Sequence, residues 1–240
     1  MVGAGIYDLK NGRRTATKLP APHHHVLRWE LMTHAPICHS SICMRRSKLQ
    51  EHQLSYDATV DLADDFELYH RIAAAGRIAA LEERLVLYRV HPKSSSSLRG
   101  QDMSTRGSAI LARAHLKYLG LTLDADEFAA LWRAATFLAI PQSPAELLLA
   151  GNALATLLQA YLRVANLTDA QESDVRLAAS LQWWEFVNLG AYEFGPSAYA
   201  LFHRIDPLTA FRPSAIQWMR PRLGRIIRKI LPRMAYQGQS

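Results

Sequence analysis

Cysteine is nearly absent from this chain. Cys38 and Cys43 are the only two in 240 residues, too few for a disulfide scaffold, which points to a reducing compartment. If they lie on a strand, their odd separation turns them to opposite faces. Long apolar runs are missing as well. The most apolar stretch, Leu147 to Leu162, falls short of the roughly 20 residues that span a bilayer and is interrupted by Asn152 and Gln159, so no transmembrane helix is expected. The first 25 residues carry Lys10, Arg13, Arg14 and Lys18 without an apolar segment, and no secretory signal is read there. No internal repeat is visible.

What is present suits a packed core. Apolar residues make up 49% and charged residues 20% of the chain, the balance of a globular protein long enough for one large or two small domains. The 28 basic and 21 acidic residues leave a net charge of +7. Arg220, Arg222, Arg225, Arg228, Lys229 and Arg233 supply six of those charges, so the rest of the chain is nearly neutral. That placement argues against nucleic acid as a partner, because the excess belongs to a tail and not to a folded face. Leu223, Ile226, Ile227, Ile230 and Leu231 fall on one helical face of that tail and Arg222, Arg225 and Lys229 on another. A basic amphipathic helix over 220–234 can lie on anionic lipid, or its apolar face can dock on the helical part of the same chain.

Along the chain, Val2 to Asp8 and a short strand after Gly12 read as a hairpin with an Asn11-Gly12 turn. Pro20 to His25 reads as a loop, Val26 to Met32 as a short helix and Ile37 to Met44 as a buried strand. Adjacent histidines cannot all face one ion, so His23, His24 and His25 are expected to be solvated loop residues. Asp64 to Ala75 reads as a helix with Leu68 and Ile72 on one face and Gly76 at its C′ position. Arg77 to Ala80 and Arg84 to Val90 read as two short strands. The serines from Ser94 to Ser97 mark a flexible break and the preferred boundary. Beyond it, Ala109 to Leu119, Ala125 to Leu138, Ala145 to Ala165 and Gln171 to Val187 carry helical periodicity. Leu147, Leu154, Leu158, Tyr161 and Ala165 form a core stripe, and Asp124-Ala125-Asp126 reads as the acidic first turn of a helix.

One run carries chemistry: LADDFELYHRIAAAGRIAALEERLVLYRVH, from Leu62 to His91. Taken alone, its Asp-Asp-Phe is only a pair of acids complementing a helix dipole, and its histidine a solvated side chain at a strand end. Taken together, the run resembles the xED helix and terminal histidine of inverting family 2 glycosyltransferases, which read "ED-aromatic-x-L-x-x-R" and then "L-x-Y-R-x-H". The matching residues are Asp64, Asp65, Phe66, Leu68, Arg71, Gly76, Leu85, Tyr88, Arg89 and His91. Upstream, PICHSSICMRR from Pro36 to Arg46 is similar to the family's serine-bearing strand, and the likeness covers roughly residues 1 to 98.

The resemblance implies a fold and a set of roles. The expected architecture is α/β, a partial GT-A nucleotide-diphospho-sugar transferase fold over 1–98, followed by a mainly α-helical extension over 99–240. Asp65 would be the base that takes the acceptor proton, with Asp64 orienting the helix start. His39, Ser40 and Ser41 would border donor sugar and acceptor, although a turn or strand-edge role suits the two serines equally, and Arg89 would contact diphosphate or pair with the acidic helix. His91 would be a ligand to Mn2+ or Mg2+. Partners would be a nucleotide-sugar donor and a saccharide or lipid-linked acceptor, in polysaccharide or glycoconjugate assembly at the cell envelope. The setting would be cytoplasmic, with peripheral contact at the inner membrane face through 220–234. The family's Asp-x-Asp motif does not stand before Asp64. The chain therefore reads as the acceptor-side half of such an enzyme, or as a truncated, non-catalytic remnant or interaction module without donor binding.

Overall fold

A computed structural model describes residues 1–136 and 140–214; the basic tail over 220–234 lies outside them. The described residues form a mixed α/β region and a set of helices. By their contacts the chain divides into two compact units, Met1–Leu123 with Gln159–Val175, and Asp124–Leu158 with Arg176–Ser240. The unit that holds the sheet thus runs past residue 98 to Leu123.

The sheet of this first unit has three strands in the order β2-β1-β3: β1 (Val2–Lys10), β2 (Arg13–Ala16) and β3 (Ala79–Arg89). The β1–β2 hairpin is antiparallel and turns as the sequence predicts, on left-handed Asn11 and Gly12 at φ 51° and 75°. Those two residue types tolerate the conformation that a two-residue hairpin requires. β3 runs parallel to β1. The two short strands expected over 77–90 are one strand, whose register slips where Ala4 faces Leu81, Gly5 faces Arg84 and Ile6 faces Val86. Glu82 and Glu83 are taken up by this irregularity, which the hydrophobic pattern alone reads as a gap.

Around the sheet lie α1 (His24–Glu30), α2 (Arg46–Glu51), α3 (Asp64–Ala75), α4 (Ser95–Leu98) and α5 (Gly100–Leu119). Leu27, Trp29, Leu68, Tyr69, Ile78 and Leu111 are fully buried and make the centre of this unit. Trp29 meets Tyr161 edge to face at 5.7 Å, and the Tyr161 hydroxyl donates to the His25 carbonyl at 3.1 Å. Gly76 does end α3, at the cap position itself and with extended backbone (φ −163°).

The stretch Ile37 to Met44 is not a strand. It makes a short 3-10 turn over His39–Ser41 and touches the sheet by one bridge, Val2 to Cys43. The cause is local. Ser41 Oγ donates to the Cys38 carbonyl at 2.8 Å and accepts from the Ala4 N–H at 3.3 Å, so a side chain takes up backbone groups that a ladder would have used. Cys38 and Cys43 consequently do not share a strand.

The second unit holds α6 (Ala125–Ala135), the start of α7 (Pro144–Val164), most of α8 (Asp169–Phe194) and the short α9 (Tyr199–Phe202). Asp124 caps α6 by accepting from the Asp126 N–H at 2.9 Å, as the acidic first turn predicts. Trp183 is buried and donates its indole N–H to the Phe202 carbonyl at 3.1 Å. α7 can approach that indole only because residue 151 is glycine, where a Cβ would stand 2.7 Å from Trp183. Leu147, Leu154, Leu158 and Tyr161 of α7 are buried as the stripe predicts, whereas Ala165 lies past the end of the helix and is half-buried. By length and composition alone α7 is long and apolar enough to cross a membrane, and 56% of its most apolar window is buried within the protein.

Candidate functional site

The start of α3 sets the site. Leu62 and Ala63 both adopt left-handed backbone, at φ 67° and 56°. For residues with a Cβ this costs on the order of 1 kcal/mol each. It bends the chain just before Asp64 and Asp65, while Phe66, Leu68, Tyr69 and Ile72 anchor the helix by burial. Arg71 fastens the same region from below. It grips Glu67 with two nitrogens, at 2.8 and 2.6 Å, and donates to the Ser55 carbonyl at 2.7 Å, which ties the preceding loop to the helix.

Asp65 has its two oxygens in different settings. Oδ1 accepts from the Phe66 N–H at 2.8 Å, whereas Oδ2 faces His39 Nδ1 at 3.9 Å. The same Nδ1 lies 3.0 Å from the Tyr69 hydroxyl. Side-chain exposure is 32% for Asp65 and 47% for His39, so the pair faces solvent above a buried phenol. Burial, then the Asp65 charge, pushes the Tyr69 phenol well above its ordinary range. Tyr56, edge to face with His39 at 6.0 Å, is raised by burial and by Asp64 and Asp65. Both phenols therefore keep their protons. The result is a carboxylate, an imidazole and two phenols at one surface, an arrangement able to accept and pass a proton.

Of the residues singled out by sequence, His39 and Asp65 come together, and Ser40 and Ser41 share the turn with His39. Ser40 is exposed. The Ser41 hydroxyl is engaged by Ala4 and Cys38, so it holds the turn. Arg89 and His91 are exposed at the far end of β3, where the His91 carbonyl accepts from Ser94 N–H at 3.1 Å and from Ser97 Oγ at 3.0 Å. Among the described residues Arg89 makes no ion pair with Asp64 or Asp65. No three His, Cys, Asp or Glu side chains are grouped to hold a metal ion among the described residues.

Tyr69 and Tyr56 are neighbours of the candidate site that sequence reasoning missed. Tyr69 left a signal, since it stands four residues after Asp65 on the same helical face. Tyr56 left none. His23 is an exposed residue before α1, as expected, but His24 and His25 are not solvated loop residues. His24 begins α1 and accepts the Ile78 N–H at 3.1 Å, and burial with the nearby Arg28 and Arg77 charges pushes it down to about 4. His25 meets Asp174 at 2.9 Å. His23 and His25 stack with ring centroids 5.6 Å apart.

No family model, curated protein or solved structure matches the chain.

Proposed function

We propose that the chain is the acceptor-side part of an inverting glycosyltransferase of the GT-A fold, acting in polysaccharide or glycoconjugate assembly at the cytoplasmic face of a membrane. The observation that carries this reading is the split environment of Asp65, one oxygen held by the Phe66 N–H and the other open beside His39. It adds to the sequence resemblance, which assigns the base role to the same residue.

In the reaction, the acceptor hydroxyl gives its proton to Asp65 Oδ2 as its oxygen bonds to the anomeric carbon. The bond from that carbon to the diphosphate breaks on the opposite side, and the nucleoside diphosphate leaves with the electron pair. His39, 3.9 Å from Oδ2 and held by Tyr69, can take the proton onward to solvent. Asp64 fixes the helix start. Arg89 and His91 keep their diphosphate-side roles on the resemblance alone. A divalent cation would neutralise the leaving group, but the described residues group no donor set around His91, and no step here runs through a metal.

The test is nucleoside diphosphate release by the full chain across a panel of nucleotide sugars. Asp65→Asn is expected to lose about 100-fold or more in turnover with an unchanged circular dichroism spectrum. Undiminished turnover in that variant removes Asp65 from the mechanism. A rise in melting temperature with a nucleotide sugar supports donor binding, and no rise with any donor supports a non-catalytic module.

A further inference from the structure

Two adjoining cavities lie between α3 and α5. The first, of about 250 Å3, is bounded by Asp57, Thr59 and Arg106, and begins one residue past Tyr56, whose ring meets His39. The second, of about 180 Å3, is bounded by His70, Lys117 and Tyr118. Glu67, Ile110 and Arg113 line both, so the two form one groove that follows α3 from the loop next to Tyr56.

The charges in this groove are uneven. Its acids are already satisfied, because Glu67 is gripped by Arg71, and Asp57 accepts the Thr59 N–H at 2.9 Å and hydroxyl at 2.7 Å. Its cations form no close ion pair among the described residues, although the Arg113 charge acts on Asp57 and the Arg106 charge on Asp61. Arg106, Arg113 and Lys117 are exposed on one face of α5. Lys117 rests over the Tyr118 ring at 5.2 Å.

The floor of the groove holds the second observation. His70 is 4% exposed, packed between Phe66 at 4.8 Å and Tyr118 at 6.1 Å, and neither ring nitrogen has a hydrogen-bond partner. Burial, with His115 nearby, drives its pKa down to about 3, so the ring is neutral. A neutral imidazole offers one N–H and one lone pair. A carboxylate can satisfy only the N–H, while hydroxyl groups donate and accept and can satisfy both. Buried polar groups left without partners mark places where something else supplies them.

We propose that this groove binds an acidic saccharide, whose hydroxyls meet His70 and whose anionic groups meet Arg113 and Lys117. In the sugar-transfer reading, on which this last step alone rests, the groove holds the acceptor chain that leads to Asp65.

The experiment is calorimetric titration of the full chain, with hexagalacturonate, maltohexaose and inorganic phosphate as probes. Hexagalacturonate is expected to bind, more weakly as salt is added, and maltohexaose and phosphate are not. The double variant Arg113→Gln/Lys117→Gln, both exposed positions, is expected to weaken binding about tenfold or more. The side-chain nitrogen resonances of His70 should move on saturation. Equal binding of the neutral hexamer, binding of phosphate in place of the saccharide, unaltered affinity in the double variant, unmoved His70 resonances or no binding of hexagalacturonate each overturns the proposal. Asp65→Asn should bind hexagalacturonate as well as the parent does, so failure of the transfer mechanism and failure of the groove are read separately.

Discussion

The Tyr69 hydroxyl stands 3.0 Å from His39 Nδ1 and fastens the turn His39–Ser41 to the second turn of α3. Because Asp65 lies one helical turn before Tyr69, this bond also fixes how far the imidazole stands from the carboxylate.

Tyr69→Phe should leave the fold intact while removing that anchor. A loss of about 1 kcal/mol in urea unfolding is expected. Crystal or NMR structures of the variant should show His39 in more than one rotamer, and a single unchanged rotamer would show that the phenol does not position it.

Arg71→Ala should act on the loop before α3 more than on the helix. The bidentate pair with Glu67 and the bond to the Ser55 carbonyl are lost together, at a cost of about 1 kcal/mol. Limited proteolysis should cut the variant near residue 55 well before it cuts the parent protein.

Stability should fall on the acid side of neutrality through His70. Its folded pKa of about 3 lies below the ordinary 6.5, so the unfolded chain takes up a proton that the folded chain refuses. The contribution is complete above about pH 6.5 and erodes as pH falls from there toward 3, by up to about 1.4 kcal/mol per pH unit. Urea unfolding at a series of pH values should show a shallower acid decline in His70→Gln than in the parent.

Gly151→Ala tests packing in the second unit. The added methyl would stand 2.7 Å from the Trp183 ring, inside any normal contact. Overpacking of this kind costs about 1–3 kcal/mol, which exceeds what alanine gains in helix propensity. Differential scanning calorimetry should report a lower melting temperature.

The elements legible in the sequence are those written by near neighbours. Asn11-Gly12 specified the hairpin, the Leu68 and Ile72 spacing gave α3, and Asp124 announced the start of α6. Elsewhere the deciding partner lies far along the chain. Ser41 reads as a strand residue until Ala4 claims its hydroxyl, and His24 reads as loop until the Ile78 N–H arrives. Of the site, Asp65 and His39 were both visible as separate candidates. Their meeting depends on the fold of the 25 residues between them, and Tyr56 joins them with no pattern to announce it.

Leu62 and Ala63 set two evolutionary interests against each other. Glycine would sit in their left-handed backbone without penalty, so the chain has an easy route to a steadier fold. That route also frees the peptide that aims Asp65, because the conformation would then be one choice among several. A residue that is strained but held there keeps the Asp65 carboxylate in one place, and selection for thermal robustness alone would erase that constraint.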